Sequence, residues 1–201
     1  MMYDKRIVQF VGFQTLLDRE AFLTRWAPFA MSFLDRGLER IVLAERDAAG
    51  DGFAFLSRNE WPEDRFSAAF LGQLPADAGG GGVVAVQVGA FRASSSRDAD
   101  SGPGQSADKV VALARVVPGA LALAVEELRK VAVECGAGAR WTLFARDPGT
   151  RGGRFDVVLE VHAPTDSAAR KVRDVIGSQW TAAPYLEEST VLAMCERHTL
   201  P

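Results

Sequence analysis

The chain is poor in the residues that most often carry chemistry. Its 201 residues include only two cysteines, two histidines and two tyrosines. Cys135 and Cys195 each stand alone among apolar neighbours. They read as small core residues of a reduced, cytoplasmic protein rather than as a disulfide framework. His162 and His198 are far apart, with no cluster of cysteines or carboxylates beside either, so no metal-ligand spacing is present. There is no basic excess either: the net charge is −3 and the sequence pI about 5.5. That balance excludes nucleic acid, which needs a concentrated basic surface, and an anionic membrane surface. No apolar run approaches the roughly 20 residues that span a bilayer, and residues 1–17 do not read as a signal peptide.

The known site motifs are missing as well. The glycine run at 79–82 lacks the Lys-Ser/Thr ending of a phosphate loop and precedes a strand instead of a helix. No cysteine–histidine pairing or Gly-x-Ser-x-Gly elbow offers a nucleophile. No cofactor is expected on these grounds. What the chain does have is apolar substance, 48% hydrophobic residues against 24% charged, enough for a sizeable core.

Hydrophobic periodicity divides that substance into elements. Residues 7–13 (IVQFVGF) read as a strand. Asp18 reads as an N-cap with Glu20 in the first turn, followed by Phe22, Trp26, Phe29, Ala30 and Phe33 at helical spacing. Pro28 should kink or split that helix, and Gly37 should stop it. Strands at 40–46 (RIVLAER) and 53–58 (FAFLSR) flank a Gly-Asp-Gly turn and form a hairpin. Pro62 should open a second helix with Phe66, Phe70, Leu71 and Leu74 on one face. A fourth strand covers 83–91 (VVAVQVGAF). Residues 94–108 (SSSRDADSGPGQSAD) lack any large apolar side chain and read as a flexible linker.

The second half repeats this order. A strand at 110–117 leads to Pro118, placed to start a helix with Leu121, Val125, Leu128, Val131 and Cys135 on one stripe. Strands at 141–146 (WTLFAR) and 155–162 (FDVVLEVH) flank a hairpin loop. Thr165 or Asp166 caps a helix carrying Ala169, Val172, Val175, Ile176 and Trp180, and 189–197 is the last strand. The halves also match locally: Leu43 to Asp47 beside Leu143 to Asp147, Phe53 beside Phe155, Trp61-Pro62 beside Ala163-Pro164. The fold class is therefore α+β, two β-α-β-β-α-β repeats in one chain, with domains at 1–93 and 109–201 and a linker at 94–108.

Each helix has one apolar stripe, while the strands are apolar on nearly every residue, so both faces of each sheet need cover. Two helices cover one face. The economical cover for the other is the second sheet, within one chain or in a homodimer.

In this element order the chain resembles the dimeric α+β barrel superfamily, in which two ferredoxin-like units face each other around a cavity. That group includes the antibiotic-biosynthesis monooxygenases, muconolactone isomerases, stress-responsive barrel proteins and EthD-like proteins. The resemblance covers all but the linker, and implies a fused pseudo-dimeric barrel. Its most similar stretch is 22–46, with Phe22, Trp26, Pro28 and then Gly37-Leu38 entering a strand, close to the EthD-like pattern. Ala30 and Met31 stand where those proteins carry a histidine, so that family's functional residue does not transfer.

The resemblance implies a small apolar or aromatic ligand and cofactor-independent monooxygenation or isomerisation. Cofactor-free oxygenases of the superfamily hold electron-rich aromatics with Asn, Trp or Tyr, and Arg. Asn59, Trp61 and Arg46 are candidates for such a set. His162 is the candidate acid or base, because Asp156, Val158, Glu160 and His162 share one strand face. Arg46 and Arg146 hold equivalent positions and could take an anionic ligand between the halves, with Trp141 beside Arg146. For each, the simpler reading is the stronger: a turn into a helix for Asn59 and Trp61, a solvated strand end for His162, a surface ion pair for each arginine, and core packing for Trp141, Trp26 and Trp180. Two other readings share the element order. One is a non-catalytic stress-type or assembly barrel with a filled interior. The other is a regulatory tandem resembling ACT domains.

Overall fold

A computed structural model describes residues 6–46, 53–67, 81–97, 108–135, 139–150 and 153–200. Among these the chain is α+β, with eight antiparallel strands and three α-helices. It divides into two compact units. The first holds the described residues up to Ala90, those within Asp147–Arg154 and those from Arg197 on; the second holds the described residues within Phe91–Arg146 and Phe155–Glu196.

In the first unit, β1 (Arg6–Thr15) and β2 (Arg40–Arg46) both pair antiparallel with β3 (Phe55–Pro62). Between β1 and β2 runs α1 (Arg19–Leu34). Its start is held by Asp18, whose Oδ1 accepts from the Ala21 N–H at 2.8 Å, satisfying a donor that no helical carbonyl can reach. Phe22, Trp26, Ala30 and Phe33 recur every three to four residues and are all buried against the sheet. Phe22 stacks on Phe55 with ring centroids 4.0 Å apart. At the other end Gly37 has φ +97°, a conformation that a Cβ would strain. That turn lets the Gly37 N–H reach the Leu34 carbonyl and the Leu38 N–H the Phe33 carbonyl, at 3.0 and 3.1 Å.

Of the two outcomes expected at Pro28, a kink or a split, the split does not occur: α1 runs through it. Its missing hydrogen bond falls on the exposed side, while buried side chains anchor the helix on both sides of it. Pro62 opens no helix. It ends β3, which runs through Asn59 and Trp61, and a turn follows at 63–65. Phe70, Leu71 and Leu74 lie outside the described residues, as do the turn at 47–52 and Gly136 and Gly138.

In the second unit the strand order is β8-β5-β7-β6-β4. Here β4 is Val83–Arg97, which belongs to this unit from Phe91 on, β5 Asp108–Val116, β6 Arg140–Arg146, β7 Val157–His162 and β8 Leu186–Leu200, which belongs to it as far as Glu196. Two helices, α2 (Leu121–Glu134) and α3 (Asp166–Thr181), pack on one face of this sheet. That face consists of Val110, Ala112, Ala114 and Val116 on β5, Trp141 and Leu143 on β6, and Val157, Leu159 and Val161 on β7. The spacing of two is what a strand requires to present one face. Thr165 caps α3 as expected, accepting from the Ala168 N–H. Pro118 does not start α2: Pro118-Gly119 makes a turn, with Gly119 at φ +85° and Ala120 N–H bonded to the Val117 carbonyl, and the helix begins three residues later.

The linker is shorter than its composition suggests. Residues 94–97 continue β4, and Ser95, Ser96 and Arg97 pair with Leu143, Thr142 and Trp141 of β6 after a register shift at Ala93. These polar residues can be strand because the ladder to their partner strand, not a packed core, holds them. The rest of the expected linker, 98–107, lies outside the described residues.

Candidate functional site

The expected site residues are spread over two places. Asn59 and Trp61 come from β3 and share the sheet face that α1 covers, with Phe55 and Ser57. Both are buried, to 1% and 0% exposure. Behind α1, a narrow gap is left among Trp26, Phe29, Ala30 and Phe33 of the helix, Leu38 and Ile41, and Ser57 and Asn59 of β3. It is divided too finely to admit a water molecule. Ser57 Oγ donates to Asn59 Oδ1 at 2.8 Å, but Asn59 Nδ2 is buried and has no hydrogen-bond partner. An amide donor withheld from water and left unpaired costs about 1–3 kcal/mol.

Beside Asn59 the same face carries a row of polar side chains. Gln9 of β1 stands directly opposite Asn59 in the β1–β3 register. Its Oε1 accepts from Trp61 Nε1 at 3.2 Å, and its Nε2 donates to Gln87 Oε1 on β4 at 3.2 Å. Gln87 Nε2, also buried, has no partner. Trp61 closes the row against Phe33 and Phe66, both edge-on, with centroids 6.1 and 6.2 Å away.

Arg46 does not join this set. Ile41 and Leu43 of β2 lie on the α1 side, so Arg46, with Val42 and Ala44, belongs to the opposite face. It is also displaced along the sheet, since its N–H bonds to the Ala54 carbonyl while Asn59 pairs with Ile41.

The remaining candidates lie in the second unit. His162 ends β7, half-buried, opposite Lys109 on one side and Arg140 on the other. On its face, turned from the helices, Glu160 and Lys109 are 1% and 3% exposed and form an ion pair of 2.6 Å. Arg146 is largely exposed and binds Asp156 at 2.7 Å, the carboxylate whose other oxygen accepts from the Val116 N–H. That is the surface-pair reading. Trp141 packs in the core under α2 and α3, and its buried Nε1 has no partner. Among the described residues no three His, Cys, Asp or Glu side chains are grouped to hold a metal.

Sequence reading missed Ser57, Gln9, Gln87 and Lys109. Gln9 and Gln87 had a visible signal: each is the one polar residue in an otherwise apolar strand core, IVQFVGF and VVAVQVGAF. A buried amide in such a strand has to find partners across the sheet. Lys109 fell one residue before the strand as read from apolar runs.

No protein-family model and no curated protein matches the chain. Solved structures do. A proposed monooxygenase from Fusobacterium nucleatum superposes with a TM-score of 0.59 at 12% identity, covering 98% of this chain and 95% of that one. A double mutant of chlorite dismutase from Candidatus Nitrospira defluvii gives 0.58 at 9% identity, covering 96% and 92%. A proposed monooxygenase from Lactobacillus acidophilus gives 0.54 at 10% identity, covering 98% and 96%. These proteins belong to the dimeric α+β barrel superfamily. At such identities the likeness is one of fold, and carries no activity with it.

Proposed function

We propose that the chain binds a small apolar or aromatic molecule behind α1, with Asn59 Nδ2 donating a hydrogen bond to it. The observation that carries this reading is the unpartnered amide facing Trp26, Phe29 and Phe33. Aromatic walls favour a planar ring, and a ligand oxygen would satisfy the donor that water cannot reach. The occupant has to part the side chains to enter, and Phe29, half-buried on α1, is the wall nearest solvent.

Cofactor-independent monooxygenation is the chemistry proposed for the bound molecule, with isomerisation as the other. In the oxygenation the substrate supplies the electrons: a CH₂ group and O₂ become C=O and H₂O. Among the described residues no carboxylate, histidine or lysine lines the cavity, so such a substrate has to be acidic enough to lose its proton to solvent. The same proposal takes the chain as a tandem of two β-α-β-β-α-β repeats forming a pseudo-dimeric barrel. The second unit's β8-β5-β7-β6 order and the first unit's β1-β3-β2 order are the same sequence of positions in the repeat.

The test is a titration of the ¹⁵N-labelled chain with a set of one- and two-ring aromatic ketones, with O₂ uptake followed in parallel. Binding should move the Asn59 side-chain amide and the Trp26 indole signals, and Asn59→Leu should weaken it about ten-fold. Signals that do not move at millimolar ligand would end the reading. A non-catalytic barrel is the second reading. Fully buried Val111, Leu113, Phe144 and Val158 on the second unit's other sheet face favour it. A folded chain that binds none of the ligands would select it.

A further inference from the structure

We infer that Phe29 is the gate of the gap behind α1 and its size-determining residue: the ligand carries a single aromatic ring, seated where the Phe29 ring now lies. The inference rests on the ligand-binding reading above and narrows its ligand class.

The argument is one of which wall can move. Among the described residues that line the gap, Trp26, Ala30, Phe33, Leu38, Ile41, Ser57 and Asn59 are each 5% exposed or less. Phe29 alone is half-buried. The buried walls are held from several sides. Phe33 meets Trp61 edge-on at 6.1 Å and carries the Arg36 guanidinium 4.8 Å from its ring centroid. Ile41 and Asn59 stand opposite each other in the β2–β3 ladder. Shifting any of these disturbs close packing, whereas a half-buried side chain on a helix flank can change rotamer.

Phe29 packs on Phe33 with ring centroids 5.0 Å apart and planes tilted by 59°. When its ring swings toward solvent, the space it leaves joins the narrow gap. That space has the volume of one phenyl ring, and Phe33 offers an incoming ring the same tilted contact. On the sheet side Asn59 Nδ2, buried and without a partner, donates to the ligand oxygen. A second fused ring finds no second movable wall. It has to displace Trp26 or Phe33, which overpacks the core under α1.

The experiment compares acetophenone with 2-acetonaphthone, the same methyl ketone on one ring and on two, by NMR titration of the full chain. Apolar area alone favours the larger ketone, so the opposite order reports the wall. Wild type should bind acetophenone about ten-fold more tightly or better. Phe29→Ala leaves the gate open, so 2-acetonaphthone should then bind at least as tightly as acetophenone. Phe29→Leu keeps most of the apolar bulk and should give an intermediate ratio, which tests the inference even where Phe29→Ala fails to fold in urea denaturation. Equal or tighter binding of 2-acetonaphthone by wild type would overturn the inference while leaving the ligand-binding reading in place. A one-ring preference that survives substitution of Phe29 undiminished would also overturn it, since another wall would set the size. Failure of both ketones to bind wild type would remove both claims together.

Discussion

The ammonium nitrogen of Lys109 lies 2.6 Å from Oε1 of Glu160, and the two side chains are 2% and 1% exposed. They meet diagonally across the β5–β7 ladder, where Lys109 pairs with His162 and Val111 with Glu160. Two charges taken this far from water are held at high desolvation cost, and their attraction repays it only while both are present. Lys109→Met alone should lower the unfolding free energy by about 3–5 kcal/mol in urea denaturation. The double variant Lys109→Met, Glu160→Leu should recover most of that loss. A single variant losing less than about 1 kcal/mol would mean that the remaining carboxylate is hydrated after all.

Arg146 and Asp156 separate a surface charge from a structural one. Arg146 is 42% exposed and Asp156 10%. Arg146→Ala should change stability by less than about 1 kcal/mol. Asp156→Ala should cost more, about 1–3 kcal/mol, because it also strips the acceptor from the buried Val116 N–H. Equal losses in the two variants would show that the ion pair, not the backbone contact, carries the effect.

Gly12 is required by a close approach. A Cβ there would overlap the Phe53 ring. Phe53 is itself 3% exposed and has little freedom to move. Gly12→Ala should therefore destabilise by about 1–3 kcal/mol, as overpacked cores do. Adding Phe53→Leu should return part of the loss, a coupling that a double-mutant cycle reads directly.

Burial at the end of α2, with Glu134 beside it, pushes the Cys135 thiol up to about 11. As pH rises, the unfolded chain releases this proton first, near the ordinary thiol value of about 8.5. Stability is therefore flat below that pH and falls as pH climbs toward 11. Because the thiol is only partly buried, the fall is smaller than full burial would give. Cys135→Ala should remove this component of the slope in urea melts taken from pH 8 to 11. The thiol should also react with iodoacetamide at pH 8 more slowly than free cysteine. A reaction at the free rate would contradict the burial.

Local chemistry made much of the fold legible. The Asp18 and Thr165 caps, the Gly37 stop, the buried stripe of α1 and strand β2 all followed from residues within one or two turns of each other. The errors came at prolines and polar residues whose fate depends on distant partners. Pro62 looked like a helix start, yet pairing with Arg6 of β1 carries β3 through to it. Residues 94–97 looked like linker, yet β6 holds three of them in a ladder. No helix among the described residues is long and apolar enough to cross a membrane, a point composition reached by the same counting.

The sequence alone determined most of the strands and helices and the faces they bury, because periods of two and 3.6 are written along the chain. Only the tertiary structure decided which side chains share a face. It set Arg46 on the far side of the sheet from Asn59 and Trp61, and it joined Gln9 to Gln87 across 78 positions. The physical reason is that register is set between strands: each pairing fixes a whole row of neighbours, and a shift of one residue would turn every one of them to the other face.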